Sequence, residues 1–153
     1  MQTQRKIQRV QPIIKLKQDK VQEETALLQT IQSRKVEIVR AMRENQKRYM
    51  DGVNQLNEAR ASAARLNLDT LERGLDYVKA QWYKLYTDVQ EVERQEKEQI
   101  VQVLAVEREL KSVEKLREKY ETLYKKELST AEQKMLDELA LRRFLNKSQV
   151  GGT

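Results

Sequence analysis

From Leu71 to Val113 an apolar side chain returns at every third or fourth position. The series is Leu71, Leu75, Val78, Trp82, Leu85, Val89, Val92, Glu96, Gln99, Val103, Val106, Leu110 and Val113, and eleven of these thirteen are apolar. A 3,4 spacing sustained over that length, with charged flanks, marks the seam of a coiled coil rather than one face of an ordinary surface helix. An earlier column repeats every seventh residue through Ile14, Val21, Leu28, Met42, Tyr49, Leu56 and Ala63, with Lys35 its one polar member. Val10, Ile31 and Ile38 fill in the alternate spacing.

Helix breakers are scarce. The 153 residues contain four Gly and one Pro, and two of the Gly fall in the last three positions. Between the two columns lies ARASAARLNLDTLERG, where Asn67 and Asp69 both have N-cap chemistry and Asp69 with Glu72 forms a capping-box variant. The expected fold is all-α, a long two-helix antiparallel coiled-coil hairpin forming a single domain. Its first helix is expected over about 12–64, with Pro12 in the first-turn position that tolerates proline. A hinge follows at 65–69, then a second helix over 69–146 and a flexible tail at 147–153.

A reversal centred on Asn67 predicts a register in which facing residue numbers add to 134. It sets Leu28 against Val106, Ile31 against Val103 and Tyr49 against Leu85. Lys35 then faces Gln99 with Glu96 about one turn away, and Gly52 meets Trp82. Polar opposite polar and small opposite large is the complementarity a packed seam requires.

At about 1.5 Å per residue the second helix spans roughly 115 Å and the first about 80 Å. Beyond about residue 123 the second helix therefore outruns its partner, unless residues 1–11 cover part of it. That stretch still carries Leu128, Met135, Leu136, Leu139, Leu141, Phe144 and Leu145. An amphipathic helix without an intramolecular partner implies an external one.

Composition narrows the chemistry. There is no Cys and no His, so no disulfide framework, no thiolate metal site and no imidazole base. Carboxylate pairs such as Glu91/Glu93 and Glu96/Glu98 read as solvated helix surface, and no Gly-rich phosphate loop is present. The expectation is a non-enzymatic chain with no cofactor and no metal. No apolar run approaches the ~20 residues that span a bilayer, and the N-terminus lacks a signal-peptide core, which places the chain in a cytoplasm.

The net charge of +6 is uneven. Residues 1–20 hold Arg5, Lys6, Arg9, Lys15, Lys17 and Lys20 against Asp19, giving +5; residues 140–153 add Arg142, Arg143 and Lys147, giving +3; the rest is −2. If the termini lie together, one end is basic. A DNA-reading basic region requires dense Arg and Lys ahead of the heptads, whereas here the apolar spacing begins at Val10 and Pro12 interrupts it. No nucleic acid is expected. Ile13, Ile14 and Leu16 among basic residues have the chemistry of a membrane surface contact, without stable insertion.

The segment VQPIIKLKQDKV, Val10 to Val21, resembles the opening of the FliJ/YscO family, the stalk proteins of flagellar and type III secretion export. Val10, Pro12, Ile13, Ile14, Leu16, Lys17, Lys20 and Val21 fit its pattern of apolar residues, proline and basic residues. KRYMDGVNQL, the hinge, and a long second helix ending in KMLDELALRRF are similar as well, with the injectisome (YscO-like) branch, a virulence system, the nearer of the two. The resemblance implies a stalk whose paired termini enter the pore of a hexameric export ATPase. Such a stalk links the ATPase to the cytosolic domain of the export gate, and some members escort secretion chaperones. It would sit in the cytoplasm, peripheral to the inner-membrane export apparatus. Carried onto this chain, the ATPase-docking residues would be Arg5, Lys6, Arg9, Leu136, Leu139, Arg142 and Arg143. The gate or chaperone contact would lie near Tyr49, Leu75 and Trp82. Without the resemblance, the pattern alone reads as a generic cytosolic coiled-coil adaptor or tether.

Overall fold

The computed structural model describes residues 2–62 and 68–151, which form two α-helices, α1 (Gln2–Ala61) and α2 (Leu68–Gly151). No strand occurs among the described residues. The helices pack antiparallel as the two-helix hairpin that the heptads predict. The expected hinge, Asn67 included, lies largely outside the described residues. Asp69 stands in the first turn of α2, where a carboxylate complements the positive end of the helix dipole.

α1 begins at Gln2, well before the start expected at Pro12, and Pro12 lies inside it. A proline in a helix interior removes one backbone hydrogen bond and typically costs about 3 kcal/mol. Burial on either side of it offsets that cost, because Thr3, Val10 and Ile14 are all buried while Pro12 itself points to solvent.

Contacts divide the chain into two units. One joins the N-terminal residues through Val21 to those from Val106 onward, and the other is Gln22–Ala105. In the first unit Val10 and Ile14 are buried with Val106, and Leu110, Val113, Tyr120 and Tyr124 are half-buried. Polar contacts fix the pairing. The Thr3 hydroxyl donates to Glu127 Oε1 (2.7 Å), the Lys17 ammonium to Glu109 Oε2 (2.9 Å), and Arg117 Nη1 to Gln11 Oε1 (3.4 Å). Residues 2–21 thus cover α2 as far as Glu127.

In the second unit Leu56, Val92 and Val103 are buried, and most other seam residues are half-buried, as expected where only two helices share an interface. The first-helix seam is asymmetric here. One column, Leu28, Lys35, Met42, Tyr49 and Leu56, is mostly large and apolar, whereas in the other, Glu24, Ile31, Ile38, Asn45, Gly52 and Ala59, four of six are polar or small. Gln99 Nε2 donates to the Glu24 backbone carbonyl (2.9 Å) and to its carboxylate, Lys35 lies 3.6 Å from Glu96, and Arg60 lies 3.5 Å from Glu72. Lys35 and Glu96 share a layer as the spacing predicts, but Gln99 belongs to Glu24.

The register corrects the one expected from the sequence. A Cβ added at Gly52 would stand 2.7 Å from Leu75 Cδ2, so Gly52 faces Leu75 and not Trp82. Tyr49 meets Val78 and Lys79 rather than Leu85. Facing numbers such as 52 and 75, or 49 and 78, add to 127, one heptad short of 134. The physical reason is that heptad seams look alike after a seven-residue shift, so periodicity cannot distinguish one register from the next.

This register predicts a specific rescue. Gly52→Leu should destabilise by roughly 1–3 kcal/mol through overpacking. Adding Leu75→Ala should recover most of that loss, while adding Trp82→Ala should not. Urea unfolding of the single and double variants measures both, and rescue by the Trp82 change instead would restore the other register.

Candidate functional site

Two surfaces stand out, one in each unit. In the first, α2 continues as helix beyond Glu127, and every residue from Lys125 to Gln149 is exposed. Leu128, Met135, Leu136, Leu139, Leu141, Phe144 and Leu145 all belong to this stretch, with Met135 64% and Phe144 69% exposed. At 3.6 residues per turn, positions nine apart lie two and a half turns apart and so on opposite sides of the helix. Met135 and Phe144 are such a pair, and so are Leu136 and Leu145. The apolar surface therefore encircles the end of α2 instead of forming one stripe. Glu132, Lys134, Asp137, Glu138, Arg142 and Arg143 stand between these apolar side chains, so Met135 and Leu136 face one side and Phe144 and Leu145 the other, further along the helix.

Arg142 and Arg143 are exposed within this collar. The basic residues of α1 are not beside them. Lys6 holds its ammonium 5.6 Å from the centre of the Tyr120 ring, a cation–π contact that fixes its place along α2. Arg142 is 22 residues further on, about 33 Å at the helical rise. Arg5 and Arg9 are exposed on the turns flanking Lys6. The structure thus groups Leu136, Leu139, Arg142 and Arg143 at the bare end and sets Arg5, Lys6 and Arg9 back along the paired helices.

The second surface is a groove of about 370 Å³ in the second unit, lined by Asn45, Tyr49, Val78, Lys79, Trp82 and Tyr83 among others. Trp82 is half-buried, stacks on Tyr86 (centroids 5.4 Å apart, planes 11° apart) and takes Tyr83 edge-on at 5.6 Å. Tyr77, Tyr83 and Tyr86 are exposed, and Lys79 lies 6.0 Å from the Tyr49 ring centre. Tyr49 and Trp82 share this groove, whereas Leu75 is half-buried against Gly52.

Asn45 is the residue that the sequence reading missed. It is only 7% exposed, and its Oδ1 accepts no hydrogen bond. Its signal was the column Ile38, Asn45, Gly52, Ala59, which runs parallel to the apolar one and carries the small and polar seam positions.

Glu91 is exposed, and the hydrogen bond it accepts from Arg94 holds its carboxyl below the usual range. Arg94 also reaches Glu98. A carboxylate held ionised in open solvent is a poor proton donor at neutral pH. Among the described residues no group of three potential ligands is placed to hold a metal ion, and no helix is long and apolar enough to cross a membrane.

Two long helices paired in heptads, with an encircling apolar end, define a structural coiled-coil protein whose contacts are made by surfaces. The model of the family described as Flagellar FliJ protein matches residues 5–149, and the chain belongs to that family. It is accordingly a component of flagellar or type III protein export. No curated protein and no solved structure matches it.

Proposed function

We propose that this chain is a stalk of the export apparatus, whose bare α2 end inserts into the ring of the hexameric export ATPase. The observation that carries this reading is the apolar collar. A partner lying along one side of α2 would cover Met135 or Phe144 but not both, whereas a ring covers both. Leu136 and Leu139 supply apolar contact, while Arg142 and Arg143 steer approach and set orientation. Arg5, Lys6 and Arg9 meet the rim, further back along the paired helices. The groove at Tyr49 and Trp82, with Leu75 beside it, serves as the contact for the cytosolic domain of the export gate or for a secretion chaperone. The chain then works on the cytoplasmic face of the inner membrane, peripheral to the apparatus, as an escort and a link rather than as an enzyme.

The test introduces one carboxylate on either side of the collar. Met135→Glu and Phe144→Glu should each weaken association with the cognate ATPase about 100-fold or more, because each buries an unpaired charge. Both should also remove stimulation of ATP turnover. If only one of the two has an effect, the partner lies on one face and the chain is a coiled-coil adaptor. Arg142→Glu with Arg143→Glu should slow association most at low salt.

A further inference from the structure

We propose that one side of the first unit, formed by α1 and α2 together, is a contact for the surface of an anionic lipid bilayer. Two contacts between the helices define that side. The Lys17 ammonium donates to Glu109, and Lys6 lies over the Tyr120 ring. On α1, Ile13 stands four residues before Lys17 and seven after Lys6, and so shares their side. On α2, Leu116 stands seven residues after Glu109 and four before Tyr120, and Leu123 follows by another seven. Ile13, Leu116 and Leu123 are 45%, 40% and 43% exposed, and Leu16, at the outer edge, is 68% exposed.

Each helix mixes cations with apolar side chains at the 3,4 spacing of a single helix face. α1 presents Arg9, Ile13, Leu16 and Lys20, all exposed. α2 presents Leu116, Lys119, Leu123 and Lys126, also exposed. Of the carboxylates on this side, Glu109 holds Lys17 and Glu127 accepts from Thr3. The opposite side differs. Gln4, Gln11 and Gln18 occupy it on α1, where Gln11 accepts from Arg117, and Arg117 lies 3.7 Å from Glu121. Among the described residues of the paired stretch, no exposed large hydrophobic side chain stands on that side. The sequence set Ile13, Ile14 and Leu16 together, but Ile14 is buried against α2. Leu116 and Leu123 take its place from the other helix, which no local reading of α1 reveals.

Charge and texture select the ligand. Cations outnumber carboxylates here, so the ligand is acidic. The apolar side chains stand singly, about a turn apart with cations between them, and form no continuous ridge for a partner helix to interlock with. A bilayer interface needs no such fit. Lipid headgroups rearrange around single leucines, and the long Lys and Arg stems carry their charges out to the phosphates while the apolar side chains dip below. The contact lies in the interface, since no helix among the described residues is long and apolar enough to cross a membrane. It is independent of ATPase docking: Ile13, Leu16, Leu116 and Leu123 have no part in that reading, and only Lys6 and Arg9 are shared.

Cosedimentation of the full chain with vesicles, with no ATPase present, is the test. Vesicles of equal parts phosphatidylglycerol and phosphatidylcholine should bind the chain about 100-fold more tightly than phosphatidylcholine alone, and less so as salt rises. Arg9→Gln with Lys119→Gln and Lys126→Gln should lose about 100-fold in that affinity. Lys15→Gln with Lys111→Gln and Lys125→Gln removes the same charge from the opposite side, beyond a Debye length from the lipid, and should lose less than about 5-fold. Leu16→Ser with Leu116→Ser and Leu123→Ser should lose about 10-fold at unchanged charge. Every substituted position is exposed, and circular dichroism should show the same helix content in each variant. Equal losses from the two sets of Lys and Arg changes would reduce the effect to net charge and overturn the proposal. Full binding by the serine variant would overturn it too. Equal binding to the two kinds of vesicle would overturn it in favour of an acidic protein as the ligand.

Discussion

Ile14→Ala should lower stability by about 2–5 kcal/mol, whereas Ile13→Ala, one residue away, should stay within about 0.5 kcal/mol. The two side chains are the same and the backbone positions are adjacent. They differ in that Ile14 is 1% exposed against α2 and Ile13 is 45% exposed on the outer face. Removing the buried one loses its transfer free energy and leaves a void that two helices cannot fill by collapse. The consequence is larger here than in a globular core, because among the described residues of this arm of α1 only Thr3, Val10 and Ile14 are buried, and Ile14 is the most completely so. Urea titration followed by helical circular dichroism measures both variants. Equal losses would mean that residues 2–21 do not pack on α2 as the buried Thr3 and its bond to Glu127 show.

Ending the chain after Leu128 should leave the melting temperature of the paired helices within a few degrees and abolish stimulation of the ATPase. Among the described residues, Thr3 with Glu127 is the hydrogen bond between the helices that lies furthest along α2, and residues 129–149 are all exposed. They carry nearly all of the exposed collar and both of its arginines. Circular dichroism melts and ATP turnover with full-length and shortened chains separate the two effects. Full stimulation by the shortened chain would remove the bare end from the function. A collapse in melting temperature would show instead that the end supports the hairpin.

Much of this was legible before the coordinates. Sustained heptads gave two helices, the scarcity of Gly and Pro left one place for a reversal, and unequal helix lengths exposed Leu136, Leu139, Arg142 and Arg143. Three things were not legible, each for a physical reason. Pro12 was read as a helix start because proline favours that position, yet tertiary burial of Thr3, Val10 and Ile14 outweighs the lost hydrogen bond. The register was placed one heptad away because Gly52 suits either Leu75 or Trp82. The separation of Lys6 from Arg142 followed from both, since an earlier helix start fixes Lys6 on Tyr120. The collar itself was present in the sequence as residue pairs nine apart, but a search for stripes finds only one side of it.

The helical continuation of α2 past Glu127 also bears on how that end comes to be ordered. An isolated segment of some twenty residues would face the cost of nucleating its first turn, with an equilibrium constant on the order of 10⁻³. Here the packed portion of α2 supplies the nucleus, so each further residue adds only a propagation step of near-zero free energy. The end is thus a helix grown from a root, and it shortens from its tip inward without disturbing the paired turns. A partner that closes around it needs to shift only that shallow propagation equilibrium, one turn at a time, starting from the turn nearest Leu128.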